Sequence, residues 1–238
     1  MSSNQEQPEI SLVIPARDEA GRLPATLDAC QRAMANWPFA SELIVFAEPG
    51  GDDTAEIAES FAGVRVLRGD HPRGKGFAVR AGLRAARGAF AHFFMDADLS
   101  VPLDFVPIFV EEFQRDPAVD VLFGSRRHPQ SKVIISQPWQ RVASGRLFNW
   151  VMRGAGLTRF RDTQCGFKAF RAEWTEKIFS RATLDGFAFD VEILRIAQQL
   201  GAQVREMPVD WMEYGGSTVH MGNGVRAVLD ALSLKSKK

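Results

Sequence analysis

The stretch FFMDADLS, residues 93–100, ends an apolar run on two aspartates, Asp96 and Asp98, with one residue between them. Side chains two apart on a strand share a face. Two carboxylates that close repel, and one tends to take up a proton unless a cation sits between them. Mg²⁺ or Mn²⁺, hard cations with oxygen ligands, fit such a pair. The same residues could also be solvated turn positions, or a helix N-cap at Asp98 or Ser100. A D-x-D by itself does not choose between these readings.

A second group is basic. From Arg126 to Arg161 there is no acidic residue, while Arg126, Arg127, Lys132, Arg141, Arg146, Arg153, Arg159 and Arg161 supply positive charge. Trp139, Val142, Leu147, Phe148, Trp150, Val151 and Met152 are interleaved with them. That mixture suits a solvated helix face, a nucleic-acid surface or a membrane-interface helix. A third stretch, GDHPRGKG at 69–76, nearly forms a P-loop. Gly76 stands where a nucleotide-hydrolysing loop needs a Ser or Thr hydroxyl, so ATP hydrolysis is not expected. A glycine-rich turn carrying Arg73 and Lys75 before a helix can still face a diphosphate. No G-x-G-x-x-G follows the first apolar run, no G-x-S-x-G occurs, and the four His form no zinc pattern.

These residues need a frame. ISLVIP (10–15), ELIVFA (42–47), VRVLRG (64–69), AFAHFFM (89–95) and VDVLFGSRR (119–127) read as strands. Helical patterns fall at about 20–36, from Asp52 or Asp53 to about Phe61, at 76–87 and at FAFDVEILRIAQQL, 187–200. AQVREMPVDW, 202–211, reads as one more strand. This alternation predicts an α/β domain: a mostly parallel, Rossmann-like sheet with helices on both faces. Ligands of such sheets bind beyond the carboxyl ends of strands, where Asp96 and Asp98 fall. The 238 residues, without repeats or a linker, fit a single domain. Lys+Arg and Asp+Glu both total 29, so overall charge gives no argument for nucleic acid. Cys30 and Cys165 have no partner at metal-ligand spacing and read as buried hydrophobes in a reducing compartment. The start MSSNQEQPEI lacks the character of a signal peptide. No apolar run approaches the roughly 18–20 residues that span a bilayer. A cytoplasmic protein is expected, at most peripheral at the inner face of a membrane.

Several segments, in order, resemble the family 2 glycosyltransferases of the GT-A fold. LVIPARDEAGRLPATL is similar to that family's opening, V-I-P-x-Y-N-E followed by a helix. ELIVFAEPGGDDT stands in the place of its E-I-I-V-V-D-D-G-S-x-D-x-T, and RGKGFAVRAGLRAARG and MDADLSVPLDF match its next two blocks. GSRR, DTQCGFKAF, GFAFDVEIL and PVDWMEYGGSTV are most similar to the dolichyl-phosphate and polyprenyl-phosphate sugar synthases, the glucosyltransferase branch above all. Two pairs depart from the pattern. Arg17 and Asp18 stand for the usual Tyr-Asn, and Ala47 and Glu48 for the usual Asp-Asp. Glu48 can accept a hydrogen bond from a donor base; Ala47 cannot.

The resemblance implies metal-dependent hexosyl transfer, with Mg²⁺ or Mn²⁺, from UDP-glucose or GDP-mannose. The acceptor it implies is a polyprenyl or dolichyl phosphate, with inversion and with no nucleic-acid partner. Asp98 is the expected direct metal ligand, and Asp96 holds the ribose or a metal-bound water. Pro15, Ala16, Glu19, Glu48, Lys75 and Ala97 fall in the nucleotide-sugar blocks. Asp162 matches the position often assigned as catalytic base; with a phosphate acceptor it would instead orient an arginine or complete the metal site. Arg126 and Arg127 suit an acceptor phosphate. Asp190, Trp211 and Ser217 are expected at the acceptor side. By the same resemblance residues 1–9 are a polar tail and 10–220 the GT-A domain. Its nucleotide-sugar half is about 10–105 and its acceptor half about 106–220, with a C-terminal helix and basic tail over 221–238.

Overall fold

The computed structural model describes residues 7–135, 139–213 and 222–234, with the side chains of 139–141 and 222–225 excepted. In chain order the elements are β1 (Ile10–Ala16), α1 (Leu23–Met34), β2 (Ser41–Ala47), α2 (Thr54–Ser60), β3 (Val64–Arg68) and α3 (Lys75–Arg84). Then follow β4 (Ala91–Met95), α4 (Phe105–Arg115), β5 (Val121–Ser125), β6 (Lys132–Ile135), α5 (Trp139–Gly154) and β7 (Phe167–Arg171). The chain continues through α6 (Ala172–Phe179), α7 (Phe189–Gln199), β8 (Val204–Pro208), β9 (Asp210–Met212) and α8 (Gly222–Ser233).

Seven strands form one sheet in the order β3-β2-β1-β4-β7-β5-β8. All neighbours are parallel except β7, which runs antiparallel to both β4 and β5. The mostly parallel sheet expected from the alternation is therefore present, with one inserted reverse strand. Period-two alternation sends successive side chains to opposite layers. Leu12, Ile14, Leu43, Phe93 and Phe167 pack on one face, against Leu23 and Leu27 of α1 and Phe109 and Phe113 of α4. Val13, Ile44, Phe94, Phe123 and Phe170 pack on the other, against Val79 of α3, Ile178 of α6 and Phe189 and Ile193 of α7. Each of these phenylalanines is wholly buried or nearly so, which stabilises the fold by roughly 1.5–3 kcal/mol per side chain.

The order reverses at β1, which lies between β2 and β4. The crevice beyond the carboxyl ends of β1 and β4 is thus a topological switch point, where open sheets bind ligands. One sequence expectation needs correction. The run 202–211 is not one strand: β8 joins the main sheet, while β9 pairs with β6 in a separate two-stranded ribbon. The break falls at Val209, whose amide donates to Ser131 Oγ. DTQCGFKAF, left unassigned from periodicity, is a turn followed by β7.

Candidate active site

β4 ends at Met95 because Asp96 turns its amide to the carbonyl of Gly166, the residue before β7, at 3.0 Å. The Asp96 carboxylate lies over Gly166, where any Cβ would collide with Asp96 Oδ2. Lys75 Nζ, at the start of α3, sits 2.5 Å from Asp96 Oδ1. Asp98 Oδ1 accepts the Ser100 amide at 2.9 Å, across Leu99, whose φ of 54° is left-handed. Burial, then the Asp96 charge, push the Asp98 carboxyl above its ordinary value. Against burial, which lowers it, Asp96, Asp190 and Asp98 hold the Lys75 ammonium above its own. Ala97 between the two aspartates is buried, and its carbonyl accepts Thr26 Oγ1 at 2.6 Å. Asp96, Asp98, Ser100, Gly166 and Trp211 line a small cleft.

The loops after β1 and β2 come up beside the acidic pair, near enough for Glu19 to feel the charges of Asp98 and Asp96. Pro15 and Ala16 pair in register with Phe46 and Ala47, and the Ala16 carbonyl accepts the Glu48 amide at 2.9 Å. Glu19 pairs with Arg22 Nε at 2.5 Å. Burial, opposed by Arg22 and reinforced by Asp98 and Asp96, raises its carboxyl to about 7. Asp18 has φ 56° and accepts the Gly51 amide at 2.6 Å, tying the first loop to the second. Glu48 Oε1 accepts the amides of Arg73 at 2.9 Å and Gly74 at 2.8 Å. That oxygen therefore anchors the glycine-rich turn and holds Lys75 at the cleft.

The arginines lie past β5. Arg126 grips Asp162 through Nε at 2.7 Å, Nη2 at 2.8 Å and its own amide at 3.0 Å. Burial would raise the Asp162 carboxyl, but Arg126 outweighs it and holds the group below the usual carboxylate range. The Arg126 guanidinium lies 5.5 Å from the ring centroid of Trp211. Arg127 Nη1 donates to the Arg161 carbonyl at 3.0 Å, and Asn149 Nδ2 of α5 donates to the same oxygen at 2.7 Å.

The cleft thus joins a strand-end acidic pair, a glycine-rich turn bearing a lysine, and an arginine on an aspartate. The profile of Glycosyl transferase family 2 matches residues 11–179. The chain belongs to this family. The glycosyltransferase is 32% identical over 224 residues to a dolichyl-phosphate beta-glucosyltransferase of Drosophila melanogaster, covering 88% of this chain and 68% of that one. Against the Homo sapiens dolichyl-phosphate beta-glucosyltransferase the identity is 30% over 224 residues, covering 88% and 69%. Its fold is similar to glucosyl-3-phosphoglycerate synthase from Mycobacterium tuberculosis, solved with Mn²⁺, UDP and phosphoglyceric acid. There the TM-score is 0.67 at 19% identity, over 94% of this chain and 78% of that one. Mannosyl-3-phosphoglycerate synthase from Rubrobacter xylanophilus gives a TM-score of 0.69 at 20% identity, over 96% and 74%. The GT-A fold is therefore shown along with the family.

Not every expected residue of this glycosyltransferase lies at the cleft. Asp190, expected at the acceptor side, is buried and pairs with Lys168 Nζ at 2.5 Å, because α7 packs its first turn onto the sheet. Glu192, two residues on, accepts the amides of Thr183 at 2.9 Å and Leu184 at 2.8 Å. Trp211 is buried against the cleft, and Ser217 lies outside the described residues. Sequence reasoning passed over Lys168; its one signal was a lysine inside the otherwise apolar strand FKAF.

Proposed function

We propose that this glycosyltransferase moves a glucosyl group from UDP-glucose to a polyprenyl phosphate at a membrane surface, with inversion. The observation that carries the reading is Asp162 clamped by Arg126. A hydroxyl acceptor needs a free carboxylate to take its proton. Asp162 is already bonded to a guanidinium and stays ionised below the usual range, which makes it a poor base. A phosphate monoester, with its second pKa about 6, carries its charge near neutrality and needs cations instead. Its oxygen forms the new bond to the anomeric carbon, and the bond from that carbon to UDP breaks with the electron pair leaving on UDP. No proton has to be removed. Arg126 and Arg127 suit the acceptor phosphate, since guanidinium binds phosphate bidentately. The relatives named dolichyl-phosphate beta-glucosyltransferase support glucose and a lipid phosphate. UDP beside Mn²⁺ in the neighbouring structure supports the donor base over GDP-mannose.

Asp96 and Asp98 fit a divalent cation by donor chemistry: two carboxylates at i and i+2, one carboxyl pushed up by burial and then by its neighbour's charge. Among the described residues no third His, Cys, Asp or Glu is placed to complete a metal site with them. The donor's phosphates would supply the remaining oxygens, as they commonly do for Mg²⁺. Bound there, the cation would neutralise charge developing on the departing diphosphate. Asp98 would hold it, Asp96 would be shared with Lys75, and Lys75 would face the diphosphate.

Among the described residues no helix is long and apolar enough to cross a membrane. Trp150 and Leu147 of α5 are 72% and 61% exposed, and Val133, Ile134 and Ile135 of β6 are exposed as well. These apolar side chains beside Arg146 and Arg153 suit peripheral docking, which we place at the cytoplasmic face. The test is a donor screen, UDP-glucose against GDP-mannose, with Mg²⁺ or Mn²⁺, reading nucleoside diphosphate release. Release from UDP-glucose that depends on polyprenyl phosphate and metal is expected. Equal release with a soluble sugar acceptor, or undiminished release in EDTA, overturns the reading.

A further inference from the structure

Lys168 is 0% exposed in the middle of the sheet, opposite Phe94 of β4 and Phe123 of β5. Its Nζ donates to Asp190 Oδ1 at 2.5 Å and to the Cys165 carbonyl at 2.7 Å, and lies 5.1 Å from the centroid of the Phe94 ring. A buried ion pair gives a fold little net stability, because desolvating both charges offsets their attraction. Apolar residues of similar size often serve as well. The position of this pair gives it another use. The Cys165 carbonyl it holds belongs to the peptide joined to Gly166. Gly166 in turn accepts the Asp96 amide at 3.0 Å and floors the Asp96 carboxylate. The other contact on the Asp96 carboxylate is Lys75 Nζ, at 2.5 Å. The floor that orients Asp96 therefore runs back to one buried pair.

We infer that Lys168 and Asp190 are positioning residues for the donor site: Asp190 holds the Lys168 ammonium on the Cys165 carbonyl, and the turn so anchored sets the Gly166 floor that fixes where the Asp96 carboxylate points. Neither touches substrate in this assignment. The inference rests on the donor reading above and deepens it, moving Asp190 from the acceptor side to the support of the donor side.

The experiment measures UDP affinity calorimetrically in the presence of Mn²⁺, thermal unfolding without ligand, and KM for the polyprenyl acceptor. It uses the full chain and the double variant Lys168→Met/Asp190→Leu, which removes both charges and leaves neither alone. Expected are an unfolding temperature at or above that of the wild type, UDP·Mn²⁺ affinity at least about tenfold weaker, and acceptor KM within about twofold. A merely structural pair would lower the unfolding temperature and leave affinity untouched. A folded double variant that binds UDP·Mn²⁺ like the wild type overturns the inference while the donor reading stands. A wild type that binds no UDP·Mn²⁺ overturns both. If the double variant does not fold, Lys168→Arg is read instead. It keeps a cation facing Asp190 but is too bulky to leave the Cys165 turn in place. Weakened UDP·Mn²⁺ binding in folded Lys168→Arg supports the inference, and wild-type binding overturns it.

Discussion

Replacing Asp98 by alanine is expected to abolish sugar transfer and leave the fold nearly intact. Its carboxylate bonds the Ser100 amide, a turn contact worth about 1 kcal/mol, so unfolding should shift little while nucleoside diphosphate release disappears. Substantial turnover in Asp98→Ala would remove it from the reaction. Asp162 calls for a subtler expectation. Asn at 162 keeps an oxygen for Arg126 and loses the charge that neutralises it. If Asp162 serves to set Arg126, the variant raises acceptor KM and lowers kcat by less than about a hundredfold, the low end of what a general base contributes. A larger fall in kcat with acceptor KM unchanged would mark Asp162 as a base and point to a hydroxyl acceptor. Glu48 shows how far residue type carries: its acidity was legible in the sequence, but its engagement by the Arg73 and Gly74 amides was not.

The turn before α3 is positioned by the loop between α6 and α7. Gly74 has φ 127°, a conformation that side chains disfavour. A Cβ on Gly76 would lie 2.5 Å from the Leu184 carbonyl oxygen and 2.7 Å from Phe189 Cβ, so only glycine allows this approach. Asp185 locks the contact: Arg73 Nη2 donates to it at 2.8 Å and Arg80 Nη2 at 2.5 Å. Partial burial raises the Asp185 carboxyl, but Arg80 and Arg73 outweigh that and hold it below its ordinary value. A carboxyl depressed in the folded state adds stability above its unfolded pKa, about 4. That stability is lost as pH falls through the lower folded value. Asp162, depressed likewise, adds to the same acid limb. The unfolding temperature should therefore decline below about pH 4, and Asp185→Asn should flatten part of that decline. An acid limb identical in Asp185→Asn and wild type would show that the clamp contributes nothing.

Across the whole molecule, α5 presents two faces. Phe148 and Met152 pack inward with Val191 of α7 and Ala227 and Ala231 of α8, while Leu147 and Trp150 face solvent. Asn149, on the inner side, reaches the carbonyl that Arg127 also holds, so the apolar surface and the arginines share one support. Each basic residue near an anionic surface contributes about 1 kcal/mol, so Arg146 and Arg153 give reversible attachment only. Sedimentation with vesicles of anionic lipid at low salt should carry the protein down, and physiological salt should release part of it. Trp150→Ala with Arg153→Ala should weaken attachment and raise KM for a vesicle-borne polyprenyl phosphate. Full retention in the supernatant at low salt would make α5 a structural helix and leave the lipid acceptor without its physical support.

What the sequence determined by itself was local. Short apolar, β-branched runs such as ISLVIP and ELIVFA, closed by turn residues, specify strands, and the apolar stripe of AGRLPATLDAC a helix, because side-chain direction follows from backbone geometry alone. Asp96 and Asp98 at the end of AFAHFFM were legible for the same reason. The ordered blocks from residue 10 onward carried the family resemblance, which the match over 11–179 bears out. Tertiary structure decided the rest. FKAF is too short and too apolar for periodicity to assign, and only the sheet inserts it antiparallel between β4 and β5. That insertion brings Gly166 beneath Asp96 and seats Lys168 against Asp190. The break at Val209 is likewise set by the Ser131 hydroxyl, 78 residues away. Contacts between such distant segments are chosen by which buried polar groups find partners when the layers close, and no local pattern records that choice.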